Sequence, residues 1–167
     1  FQILINNKWR TAFIAYTLYI IYGTTLPFRF TLSKDIIISH LKSLFSISHY
    51  QSLSSSTIQL DGLSNILFFI PFGLFLFSTI YGRNDRYFSK KDYLKIIIRG
   101  ALLSTFVEML QVFTINRSPS VLDIITNTFG TYLGALLGYF ILQRGYRQQI
   151  GRLVERIFNN PDFFIVS

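Results

Sequence analysis

The chain has 167 residues, of which 50% are hydrophobic, 17% are aromatic and only 14% are charged, and its formal net charge is +8. Soluble domains carry about 25% charged residues, so this composition excludes an ordinary soluble domain and favours the lipid bilayer as solvent. The sequence holds no cysteine, which excludes disulfides and thiolate metal ligands, and its Lys and Arg form no run typical of nucleic-acid binding, so we expect no nucleic-acid partner.

Four apolar stretches are long enough to cross a membrane. A hydrocarbon core about 30 Å thick needs roughly 20 helical residues, and the stretches lie at about residues 11–28, 61–81, 96–115 and 121–142. The first has no small-x-small cleavage site before Pro27, so it is predicted to be a retained span rather than a signal sequence. The sequence therefore predicts one all-α domain over residues 1–167, an integral membrane four-helix bundle.

The basic residues lie mostly on one side of these spans. Twelve fall in the N-terminal arm, in or beside the loop between the second and third spans, and in the C-terminal tail. The opposite side holds only Arg29, Lys34, Lys42 and Arg117. Because cytoplasmic loops are enriched in Lys and Arg, both termini are predicted to be cytoplasmic.

Two further segments have the pattern of amphipathic helices at a membrane surface. In the first outer loop Ile37, Leu41, Leu44 and Phe45 follow the helical spacing. In the tail, residues 143–167, a similar apolar stripe lies opposite four arginines, which suits an anionic inner leaflet. The tail pattern fits a solvated helix docked on its own domain equally well.

Few polar side chains interrupt the predicted spans, and they gather in the half that the topology places outside. Glu108 lies within the third span with Gln111 on the same face, and the second and fourth spans each open with an Asp and an Asn four residues apart. Polar groups inside a membrane are costly and are usually functional. The predicted ligand-binding or polar cluster consists of Asp61, Asn65, Glu108, Gln111, Arg117, Asp123 and Asn127.

A structural role is an alternative for several of these residues. Asp61 and Asp123 are predicted at or near helix N-termini, where free amide groups and the helix dipole stabilise a carboxylate. Ser118 and the proline after it resemble a cap and a first-turn proline. The asparagines could be interhelical hydrogen bonds. Glu108 has no such explanation, so it must either pair, with Arg117 as the candidate, or be protonated.

Glycines continue the polar face of the fourth span. Gly130, Gly134 and Gly138 form a small-xxx-small stripe on the helical face that begins with Asp123 and Asn127. Such a stripe lets a neighbouring helix approach closely. The sequence therefore predicts that these glycines serve helix packing beside the polar cluster.

The motifs in the last three spans have a distinctive order. They read DGLSNILFFIPFG at 61–73, STFVEMLQ at 104–111 and RSPSVLDIITNTFG at 117–130. This pattern resembles the VanZ-like family of small bacterial membrane proteins. The resemblance implies a multi-pass protein of the bacterial cytoplasmic (inner) membrane that acts in the cell envelope, and the family's namesake is associated with low-level resistance to the antibiotic teicoplanin. It implies no established reaction.

Three functional hypotheses follow. In the first, the cluster binds a polar head group or lipid-linked envelope molecule near the outer leaflet, with membrane lipids as partners. In the second, the chain is an accessory subunit of a larger membrane complex and the cluster only fixes helix register. In the third, Asp61, Glu108 and Asp123 act as acid and base groups or hold a cation. No nucleophile, redox or phosphate-loop motif supports catalysis, so we expect no catalytic residue, metal or cofactor.

Overall fold

The computed structural model describes residues 2–44, 55–81 and 89–143, with side chains placed for 8–44, 60–81 and 89–141. Within these ranges the protein is all-α, with five helices and no strand. The helices are α1 (Gln2–Thr25), α2 (Lys34–Leu44), α3 (Ser55–Tyr81), α4 (Lys90–Val112) and α5 (Val121–Gln143). The predicted all-α class is therefore confirmed, and a helix covers most of each of the four predicted spans.

Two of the described helices are long and apolar enough to cross a membrane, over Leu60–Tyr81 in α3 and Val121–Ile141 in α5. Helices α1 and α4 do not combine this length with an equally high hydropathy and few charged residues. The four-span bundle therefore stays a prediction. The amphipathic helix predicted in the first outer loop coincides with α2, whereas the one predicted in the tail falls on residues that the structure does not describe.

Helix α3 is central and runs antiparallel to α1 and parallel to α5. Against α1 it packs aromatic rings, with Phe13 on Phe72 and Trp9 on Phe75, and the Tyr16 hydroxyl donates a 2.8 Å hydrogen bond to the Phe68 carbonyl. Its most extensive contact is with α5. Helix α3 therefore packs against α1 through aromatic rings and against α5 at a shorter distance between the helices.

The closeness of α3 and α5 depends on glycine. A methyl group at Gly130 or Gly134 would collide with the backbone carbonyl oxygens of Ile66 and Ile70, and one at Gly73 would collide with that of Thr131. Because these obstacles are backbone atoms, no side-chain rotation relieves them. The two helices approach backbone to backbone along this line.

The bundle is closed at one end by aromatic side chains. Phe77 of α3 contacts Tyr93 of α4 and Tyr139 of α5, with ring centroids 6.3 and 6.5 Å apart, and Phe77 is fully buried. Offset and edge-to-face contacts of this kind fill space and add about 0.5–1.5 kcal/mol per pair beyond burial. Aromatic rings therefore join α3, α4 and α5 at this end of the described bundle.

The segments after α1 and α4 pair with each other at the opposite end. The Thr31 N–H donates to the Phe113 carbonyl at 2.8 Å, and the Ile115 N–H donates to the Arg29 carbonyl at 2.9 Å. Both helices consequently end three residues before the predicted spans 11–28 and 96–115 do. Proline at position 27 disfavours the helical conformation in the residue before it, and the two segments satisfy each other's backbone groups instead.

Candidate functional site

A cavity of about 800 Å³ lies at the end of the bundle opposite the aromatic closure. Its walls come from the last turns of α1 and α4, the loop that leaves α4, and the N-terminal halves of α3 and α5. The structure brings all seven residues of the predicted polar cluster onto this one surface: Asp61, Asn65, Glu108, Gln111, Arg117, Asp123 and Asn127. That they bind a ligand stays a prediction.

Glu108 is the buried carboxylate of the cavity, with only 2% of its surface exposed. Its Oε2 accepts a 2.9 Å hydrogen bond from the backbone N–H of Ser120, the residue before α5. No carboxylate of the described residues lies within 4.0 Å of Arg117, so of the two alternatives for Glu108 the ion pair with Arg117 is not the arrangement observed. The carboxylate is held by an amide at the start of α5, where the positive end of the helix dipole favours it.

The two aspartates differ in their relation to helix ends. Asp123 lies in the first turn of α5, as predicted, whereas α3 begins at Ser55, so Asp61 lies almost two turns inside its helix. A capping role for Asp61 is therefore wrong, because only the first four N–H groups of a helix lack partners. The cap of α5 is Ser120, whose Oγ accepts a 3.3 Å bond from the Asp123 N–H, so the cap predicted at Ser118 was placed too early.

Asn127 connects α5 to α4 beneath the cavity. It is only 4% exposed, and its Nδ2 donates a 2.9 Å hydrogen bond to Oγ of Ser104, which is fully buried. Its Oδ1 is also buried but accepts no hydrogen bond from any described residue. A buried acceptor without a donor costs about 1–3 kcal/mol, so this oxygen is an unusual feature of a packed interior.

Three of the four Asp, Glu, Lys and Arg side chains that line the cavity are acidic. Asp123 is close enough to both Asp61 and Glu108 for the carboxylates to repel each other, and the Asn65 amide faces the Asp123 carboxyl group. Arg117 is exposed at the cavity edge and acts electrostatically on Glu108 and Asp123. The site thus combines three carboxylates with one accessible guanidinium.

Helix α1 supplies cavity residues that the sequence pattern did not single out. Tyr19, Tyr22 and Gly23 line the cavity, and the Thr24 carbonyl lies 3.5 Å from Nε2 of Gln111. These residues carry no unusual polarity or spacing, so nothing in the sequence distinguishes them from lipid-facing ones. The Ser120 amide was missed for a similar reason, because a backbone donor leaves no trace in residue identity.

The described residues were compared with the ligand sets of metal ions. Among the described residues no three His, Cys, Asp or Glu side chains come together closely enough to hold a metal ion. The Nδ1 atom of His40 lies 3.0 Å from the Val112 carbonyl oxygen, where α2 meets the end of α4. The arrangement offers oriented acceptors and one guanidinium, which suits recognition of a polar molecule.

Comparison with known proteins gives one match. A family model described as VanZ/LLP1 matches residues 13–143, a stretch that contains all seven residues of the polar cluster and well over half of the chain. No curated protein and no solved structure matches. The length of the family match is enough to assign the chain, which belongs to the VanZ/LLP1 family.

Proposed function

We propose that this protein is a four-span protein of the bacterial cytoplasmic membrane that binds the polar head group of a lipid or lipid-linked envelope molecule in the cavity near the outer leaflet. The observation that carries the proposal is the convergence of seven polar side chains from three helices and a loop on one cavity in an otherwise apolar chain. The VanZ/LLP1 assignment supports a membrane setting and an association with teicoplanin resistance.

The walls of the cavity suit an amphiphile. Tyr19 and Tyr22 of α1 line it and are each more than half exposed, and Phe68 of α3 lines it on the facing helix. Acyl chains or a polyprenyl chain can lie against these rings while a head group enters the polar region between them. Arg117 at the edge is placed to meet a phosphate, since guanidinium groups bind phosphate oxygens in pairs.

The basic residues support the proposed orientation. The cavity lies at the ends of α1 and α4 where the following loops carry few Lys and Arg, whereas α4 begins at the other end with Lys90, Lys91 and Lys95. The excess of basic residues marks the cytoplasmic side. In this orientation the cavity opens towards the extracytoplasmic head groups, where envelope intermediates and lipoglycopeptide antibiotics meet the membrane.

The test uses lipids retained by the purified protein. Full-length protein is extracted in mild detergent, and its bound lipids are identified by mass spectrometry. Wild type is expected to retain a phosphate-bearing lipid that R117Q loses by about tenfold or more, because a charge-assisted bond contributes about 1.5–3 kcal/mol. R99Q is the matched control, since Arg99 is also exposed but lies outside the cavity.

The same preparation separates the proposal from a role as an accessory subunit. Exposed apolar side chains such as Leu18 and Leu102 suit either lipid or a partner helix. Equal retention of lipid by wild type, R117Q and R99Q, together with stable co-migration of other membrane subunits, would contradict the binding proposal and favour the accessory role. In a teicoplanin-susceptible host, raised tolerance that depends on Arg117 but not on Arg99 would support binding.

A further inference from the structure

Several hydrogen-bond acceptors line the cavity, among them the carboxyl groups of Asp61 and Glu108. Glu108 is buried there, and its Oε2 accepts the hydrogen bond from the Ser120 N–H. Asp61 lies at an exposed position of the same cavity and makes no ion pair with a described residue. A phosphate or other group without an N–H or O–H would leave these acceptors without a donor.

Asn127 gives a second, independent indication. Its side chain lines the cavity and is only 4% exposed. The hydrogen bond from Nδ2 to Oγ of Ser104 orients the amide group. That bond leaves Oδ1 as an acceptor without a donor in the described structure. Buried polar atoms are nearly always satisfied, so a missing donor points to a group that the bound molecule brings.

From these observations we infer that the molecule bound here carries a primary ammonium group beside its phosphate, as in an aminoethyl-phosphate head group. The inference rests on the proposed function and adds the chemistry of the head group. Three N–H donors of the ammonium group serve the acceptors provided by Asp61, Glu108 and Asn127, and its positive charge offsets the surrounding carboxylates. The phosphate lies towards Arg117.

A lipid source is favoured over a water-soluble one. Exposed rings of Tyr19 and Tyr22 continue the cavity towards the apolar outer surface of the bundle, and a free head group would leave them uncovered. Phosphatidylethanolamine has the required chemistry. Phosphatidylcholine is its matched control, because the two share the phosphate, charge and acyl chains, but the trimethylated nitrogen has no N–H donor.

The experiment compares these two lipids by native mass spectrometry of the full chain in detergent, using identical acyl chains. Wild type is expected to bind phosphatidylethanolamine about tenfold more tightly than phosphatidylcholine and to bind soluble phosphoethanolamine much more weakly than either lipid. D61N should reduce the preference severalfold, whereas D35N, which changes an exposed aspartate outside the cavity, should keep it.

Asn127 is tested with a second matched pair. N127A and S104A both remove the Ser104–Asn127 hydrogen bond, but only N127A removes Oδ1. We expect N127A to lose the preference and S104A, which keeps Oδ1 but frees its orientation, to lose less of it. D61N preserves the test if N127A does not fold. Equal binding of the two lipids by a wild type that still depends on Arg117 would overturn the ammonium inference alone. Binding of neither lipid would also overturn the ammonium inference, whereas the proposed function is overturned only by equal retention of lipid in wild type, R117Q and R99Q.

Discussion

The two ends of the helix bundle use the same helices differently. At one end α3, α4 and α5 close around Phe77, Tyr93 and Tyr139, and at the other end they separate around a polar cavity. Between the two ends, glycines hold α3 and α5 in backbone contact. The difference shows that the cavity does not result from loose packing, because the same helix pair is tightly packed immediately beside it.

The largest expected effect comes from breaking the contact that separates the two ends. In G134A the new methyl group meets the backbone of α3 at Ile70, and forcing the helices apart should destabilise the protein by about 1–3 kcal/mol or more. G62A is the matched control, since its nearest neighbour, Cγ2 of Thr126, would lie at an ordinary 3.6 Å. Thermal unfolding in detergent measures both variants.

G62A should match or exceed wild type, because alanine favours a helix by about 1 kcal/mol over glycine. A G134A protein as stable as wild type would show that α3 and α5 do not touch as described. If G134A loses lipid binding together with stability, the cavity depends on this contact. If it loses stability but keeps lipid binding, the cavity forms without it.

A smaller effect is expected at the open end, where Glu108 ties α4 to the start of α5. E108A removes the bond to the Ser120 N–H and should cost about 1–3 kcal/mol, whereas E108Q keeps an acceptor oxygen and should cost less. Both variants are compared by thermal unfolding. Equal stability of E108A and wild type would mean that this carboxylate does not hold the two helices together.

The smallest expected effect is at the closed end, where Asp92 is held locally rather than across helices. The Ser89 hydroxyl and N–H, donating at 2.8 and 3.1 Å, lower the pKa of Asp92 to about 2, and Lys95 at 3.3 Å adds to this. Because the folded-state pKa is lowered from its usual value near 3.9, the stabilisation is present above about pH 4 and is lost as the pH falls towards 2.

D92N should therefore unfold at a slightly lower temperature than wild type at pH 7 and at the same temperature near pH 2. The shift should be smaller than that of E108A, since Asp92 joins residues three positions apart on an exposed turn. A difference between D92N and wild type that does not shrink on acidification would contradict this assignment.

The sequence predicts the positions of the helices and the residues of the cavity, but not the helix ends. Hydrophobic length placed helices over the four spans, and helical spacing found the seven cavity residues, because polar groups in an apolar chain stand out. The exact helix ends were missed, since the pairing of the Thr31 and Ile115 amides with distant carbonyls has no local signal. The predicted capping role of Asp61 was also wrong. Helix α3 begins with polar residues, which are not part of the apolar stretch from which the start of the span was predicted.

What could not be predicted is set by backbone geometry. The Ser120 amide that holds Glu108, the α1 wall of the cavity, and the unpartnered oxygen of Asn127 all depend on how helices meet. Residue identity alone carries none of this information. The family resemblance likewise indicated a membrane setting without indicating which groups of a ligand the site would meet.

The most direct test of the account is the side of the membrane to which the cavity opens. These 167 residues contain no cysteine, so N116C at the cavity and K90C at the start of α4 each introduce a single thiol. With a membrane-impermeant maleimide on intact cells, N116C should be labelled and K90C should react only after permeabilisation. Labelling of K90C but not N116C in intact cells would place the cavity on the cytoplasmic side and contradict the proposed site.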